Sequence, residues 1–266
     1  MIRIVYIMTV AAIIAFAGCV ETSTVKFENQ QQQCFDNFLA EKRKMSHNQG
    51  NDIQKKEFYN QFEKDLFNYI DSVKLFVNWK GTIKDIKTKE SGKSTSVEFE
   101  IVYQPEQYRK VSFRCIHLVE TANLGNDYIY NIVKNLNNNS TVFFDGHIRT
   151  SNKDLVYYDW RSAGDELNIP YPKYNFWIID IGATKRNDSL SDNLKKAVEV
   201  SYKIIQPLRL QYQNKISKAE EDKMLKELVS EFESVQSHLT DEEKLYIQRL
   251  NTSLTNNFLY GGDYFF

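Results

Sequence analysis

The strongest constraint in this sequence is a block of runs with period two, set between stretches of helical period. In "FVNWKGTIKDI" the residues Val77, Trp79, Gly81 and Ile83 alternate, and Ile86 then falls out of phase, as it does after a β-bulge. "SVEFEIVY" alternates Val97, Phe99, Ile101 and Tyr103, with the turn-like "KESGKS" between the two runs. "KVSFRCIHL" sets Val111, Phe113, Cys115 and His117 on one side. The period then changes: "NDYIYNIVKNL" predicts a short helix starting at Asn126 and burying Ile129, Ile132, Val133 and Leu136. "STVFFDGHIR" follows with Val142, Phe144, Gly146 and Ile148 in phase, and after a long insert "YNFWIIDIG" supplies a last strand. Successive strand side chains point to opposite faces, so each run must bury one face against a partner.

Strand, strand, strand, helix, strand, strand is the element order of the five-stranded Greek-key barrel, and the region from Phe76 to Gly182 resembles the OB-fold family. The resemblance includes a first strand of the form W-x-G-x-I-x-x-I and a fourth of the form F-x-G-x-I. Gly81 and Gly146 then mark places where a coiled strand bends or another backbone comes close. The other arrangement open to these runs is a small sheet with helices packed on it. The resemblance also implies that the loops after the first and fourth strands frame a ligand face.

Helical period flanks the barrel on both sides. From Asp52, the residues Phe58, Phe62, Leu66, Tyr69, Ile70 and Val73 recur at three- and four-residue steps and share one face. Near the C-terminus, "SLSD" at 189–192, "SKAE" at 217–220 and "TDEE" at 240–243 each have the form of a capping box opening a helix. Their stripes are Leu194, Val198, Ile205 and Leu208, with Pro207 expected to kink or end the first helix; Leu225, Leu228, Val229, Phe232 and Val235; and Ile247, Leu250, Leu254 and Phe258. The short link at 238–240 predicts an antiparallel hairpin of the last two. The fold class is therefore α+β: a small OB-like five-stranded β-barrel flanked by an N-terminal helix and a C-terminal helical hairpin.

At the N-terminus, Arg3 precedes an almost wholly apolar run from Ile4 to Phe16, which is short for a spanning helix but fits a secretory signal. It ends in Phe16-Ala17-Gly18-Cys19, which resembles the lipobox of bacterial lipoproteins, with Phe16 where that family usually has Leu. The resemblance implies cleavage before Cys19 and diacylglycerol on its sulfur, and acyl chains at about 0.8 kcal/mol per buried methylene hold a domain at a bilayer. Val20, rather than Asp, implies by the same resemblance an outer-membrane address facing the periplasm. The competing reading is an ordinary secretory signal with a chance cysteine. The expected organisation is a signal at 1–18, a polar tether at 19–33 ("VETSTVKFENQQQQ" after the cysteine), a helical segment at 34–75, the barrel at 76–185 and a helical region at 186–260.

Composition is that of a globular chain: 266 residues, 42% hydrophobic and 26% charged. Removing the signal takes away Arg3 alone among 34 basic residues and none of 35 acids, leaving a net charge near −2 and no bulk attraction to nucleic acid. Cys34 and Cys115 either pair in an oxidising envelope or are two separately buried thiols. No H-E-x-x-H, G-x-S-x-G, phosphate loop or paired-cysteine spacing occurs, and no cofactor or metal site is predicted.

Two clusters stand out. Asp145, His147 and Arg149 alternate on one face of the fourth strand, where they form either a solvated face or, with Asp159 and Arg161 of the insert, the acid-base set of a nuclease-like hydrolase. The insert itself, "TSNKDLVYYDWRSAGDELNIPYPKY", carries Tyr157, Tyr158, Trp160, Arg161, Tyr171 and Tyr174. These rings either hold a protein or a glycan or cap the barrel end. The favoured expectation is a noncatalytic binding or assembly protein at the envelope, membrane-bound through Cys19, using the barrel and the insert at about 150–174.

Overall fold

The computed structural model describes residues 29–103, 110–150, 156, 172–186 and 190–259. Helices α1 (Gln30–Ser46) and α2 (Asp52–Val73) precede β1 (Phe76–Ser91), β2 (Ser94–Tyr103) and β3 (Val111–Glu120). A 3₁₀ turn leads into α3 (Tyr128–Val133), and β4 (Thr141–Ile148) and β5 (Lys173–Gly182) complete the sheet. The five strands close in the order β1-β2-β3-β5-β4, with β3 and β5 parallel and the other pairs antiparallel, which is the OB-like barrel.

Local chemistry accounts for the closure. The expected bulge lies between Lys84 and Lys87, with Asp85 in the left-handed region. A Cβ on Gly146 would stand 2.1 Å from the Trp177 carbonyl oxygen and one on Gly81 2.5 Å from Ile101, so these two positions let β4 meet β5 and β1 meet β2. The barrel interior is aromatic: Phe76, Trp79, Phe113, Phe144 and Phe176 pack with ring centroids 4.4–6.5 Å apart. From α3, Ile129 and Val133 close one end. Phe35 and Leu39 of α1, with Phe62, Leu66 and Ile70 of α2, join the same core at the other end, the predicted face of α2 among them.

The glutamine-rich stretch, expected as part of a polar tether, is helical from Gln30. Helix α1 starts at Gln30, four residues before the expected onset at Cys34, capped by the Asn29 side chain. A second bulge between Phe76 and Trp79, with Asn78 in the left-handed region, frees backbone groups of β1 from the sheet. The side chain of Gln32 donates to the Lys80 carbonyl (2.9 Å) and accepts from its N–H (3.1 Å), while Asn29 donates to the Val77 carbonyl (2.6 Å). Gln31 accepts from Trp79 Nε1 at 2.8 Å and from the Val77 N–H at 3.2 Å.

After the barrel come α4 (Asp192–Tyr212), α5 (Lys218–Gln236) and α6 (Asp241–Leu259). Ser217 and Glu220 form the predicted capping box, and Thr240 and Glu243 exchange the same bonds. The cap of α4 is Ser191, which accepts from the Leu194 N–H, rather than Ser189. Helix α4 runs five residues past Pro207, whose ring removes one intrahelical bond, and Arg209 beyond it still lies over the Phe67 ring of α2 at 5.8 Å. The expected pairing of the last two helices is corrected: α5 packs on α4, and α6 packs on α4 and on β5. Leu194, Ala197, Tyr246, Ile247, Leu250 and Leu254 thus form a second core with Ile179 on the outside of the barrel.

Candidate functional site

The covering of β4 and β5 by α6 decides the fate of the first cluster. Asp145, His147 and Arg149 share a face as predicted, but that face is buried, not solvated. The Asp145 carboxylate accepts from the Asn78 N–H (2.6 Å), from the Tyr246 hydroxyl (2.8 Å) and from Arg186. Burial pushes its carboxyl upward, and the Arg186 guanidinium pulls the other way. His147 instead meets the Ser253 hydroxyl at 2.9 Å, and burial lowers its pKa to about 4. Arg149 lies over the Trp177 ring at 5.7 Å. Asp145 and His147 are not hydrogen-bonded to each other, so the base-and-orienter pair is absent.

Of the binding residues predicted in the insert, Tyr174 is corrected: it is 0% exposed, on β5 inside the barrel, with its ring 6.0 Å from Phe35. It belongs to the core because position 174 falls in phase with Phe176 and Ile178, which also point inward. Cys19, Tyr157, Tyr158, Asp159, Trp160, Arg161 and Tyr171 lie outside the described residues. Cys115 is a free, buried thiol whose pKa is pushed up by burial, so it is not joined to Cys34. Among the described residues no cluster of metal-ligating side chains occurs.

The usable surface lies elsewhere. A groove of about 650 Å³ runs between the end of β3, α3, β5 and α6. On one wall the His117 imidazole meets Asp127 at 2.9 Å, and Asp127 also caps α3 through the Tyr130 N–H at 2.8 Å. Burial opposes the Asp127 charge, yet the bonds from His117 and the backbone outweigh it and hold the carboxyl below its usual range. Tyr128 donates to Asp180 at 2.7 Å; burial, reinforced by that carboxylate, pushes its phenol up to about 12. Arg249 on α6 lies 4.1 Å over the Tyr128 ring and donates from Nε to the Ile179 carbonyl at 2.8 Å. Trp177 is fixed by its own N–H, which donates to Asn257 at 3.1 Å.

On the outer face of β2 and β3, by contrast, the charges satisfy one another. Glu98 meets Lys87 (3.5 Å) and Arg114 (3.9 Å), and Glu100 meets Lys173 (3.2 Å) and Lys110 (3.5 Å).

Sequence reasoning missed the groove, although a signal was there. Leu245, Arg249, Thr252 and Asn256 form a second helical stripe beside the buried one of Ile247, Leu250 and Leu254. In β3, Ile116 and Leu118 are apolar on the side that alternation assigns to solvent. No family model, curated protein or solved structure matches this chain.

Proposed function

We propose that this chain is a noncatalytic binding or assembly protein, held at a bacterial envelope through acylated Cys19, that takes a protein or a glycan in the groove beside α6. The observation that carries the reading is the groove itself: a concave surface of ligand-site size in which aromatic rings and a guanidinium are held by hydrogen bonds before any ligand arrives. The predicted acid-base pair is committed to packing contacts, so no observation favours the hydrolase reading.

The resemblance of Phe16-Ala17-Gly18-Cys19 to a lipobox supports the address. Asn29 sits beside the start of β1, whereas His117 and Leu118 of the groove pair with Val97 and Ser96 at the start of β2, toward the opposite end of the barrel.

The test has two arms. Replacing Cys19→Ser should move the protein from the membrane pellet to the soluble fraction, while cross-linking in intact cells followed by purification should recover the same protein or glycan on every repetition. A membrane-bound Cys19→Ser variant would contradict the anchor, and reproducible recovery of nothing would contradict the binding role.

A further inference from the structure

The groove has a distinctive chemistry. Leu118, Tyr128 and Leu245 stand on its walls at 51%, 42% and 55% exposure, so three of the eight exposed large apolar side chains among the described residues gather at one place. Scattered singly they would need no explanation, but clustered around a concavity they mark an interaction surface. The same lining includes Trp177 and Arg249, which with Tyr128 are the residue types that carry most of the energy at protein interfaces.

The groove's charged side chains differ in their partners. Asp127 is paired with His117, and Asp180, just behind, receives Arg186 and the Tyr128 hydroxyl. Arg249 makes no ion pair within 4 Å among the described residues; its Nε is taken by a backbone carbonyl, and it lines the groove over the Tyr128 ring. A guanidinium held beside rings and aliphatic groups attracts a carboxylate more strongly than one in open water. The side-chain amides of Asn126, Gln248 and Asn256 also line the groove and have no hydrogen-bond partner among the described residues, which leaves them free for the main chain of an extended segment.

We propose that the groove between α3 and α6 binds an extended polypeptide segment of a partner protein, one that carries an acidic residue beside bulky apolar side chains. This rests on reading the chain as a binding protein and chooses protein over glycan. Branched aliphatic walls match leucine, isoleucine or phenylalanine better than the hydroxyl-covered surface of a sugar. The acid meets Arg249, and the apolar side chains sit between Leu118 and Leu245.

An array of synthetic octapeptides, varying acidic, basic and large apolar residues in position, tests this with the intact protein purified in mild detergent. The account expects retained peptides to carry Asp or Glu within three residues of a Leu, Ile or Phe, with binding that weakens as salt is raised. Leu118→Asp and Leu245→Asp, both at exposed positions where the fold tolerates a charge, should each weaken the best peptide at least tenfold. Val229→Asp, on the exposed side of α5, should leave it unchanged. Preference for basic peptides, binding indifferent to Leu245→Asp, competition by oligosaccharides, or self-association that buries the groove in sedimentation would each overturn the proposal. If the array selects nothing while cells yield a bound glycan, this inference falls and the binding reading stands; if both fail, both fall.

Discussion

At Asp145 one carboxylate holds four segments of the chain: its own strand, the β1 bulge through Asn78, the segment after β5 through Arg186, and α6 through Tyr246. Removing it takes the acceptor from the buried Tyr246 hydroxyl and from the half-buried Asn78 N–H, while Arg186 keeps Asp180, so Asp145→Ala should cost about 2–4 kcal/mol in urea unfolding. Tyr246→Phe, which removes one donor and keeps the ring, should cost about 1–2 kcal/mol. His147 makes a pH-dependent contribution whose sign is fixed by burial. Its pKa is about 4 in the fold against 6.5 when exposed, so below pH 6.5 the unfolded chain takes up a proton that the native one refuses. Stability should therefore fall as pH drops from 6.5 toward 4, by up to about 3 kcal/mol in all. A His147→Gln variant should lose that slope when unfolding is followed across the range. The strand alternation correctly placed both residues on one face with Arg149. It was silent on what covers that face, because the cover arrives from α6, about a hundred residues away along the chain.

Among the elements, α1 shows how side chains substitute for sheet partners. The β1 bulge leaves backbone donors and acceptors near 77–80 without strand neighbours, and the amides of Asn29, Gln31 and Gln32 take them. Gln32→Ala should lower the unfolding free energy by about 1–3 kcal/mol, with Glu41→Ala on the exposed side of α1 as the silent control. Gly146→Ala drives a methyl into the Trp177 carbonyl, and the loss of closure between β4 and β5 should cost about 3 kcal/mol or more in thermal unfolding. A polar run such as "ENQQQQ" has no apolar stripe, so periodicity had nothing to detect, and the helix onset was misplaced by four residues. The β1 bulge at Lys84, the two glycines and the α2 face were legible because each left an imprint in local pattern.

For the molecule as a whole, barrel order could be read because every strand carries its own alternation and the one helix falls after β3. What escaped is how separate elements meet. The groove draws on β3, α3, β5 and α6, and no single stretch of sequence contains it. The predicted aromatic site failed at Tyr174 for the converse reason: an aromatic residue at the edge of a polar insert belongs to the strand that follows. The proposed workplace depends on Cys19, and it is tested most directly by mass spectrometry of the N-terminal peptide from protein extracted from its native cells. The account predicts a chain beginning at Cys19 with diacylglycerol on the sulfur. A chain that retains residues 1–18, or a Cys19 without lipid, would contradict it.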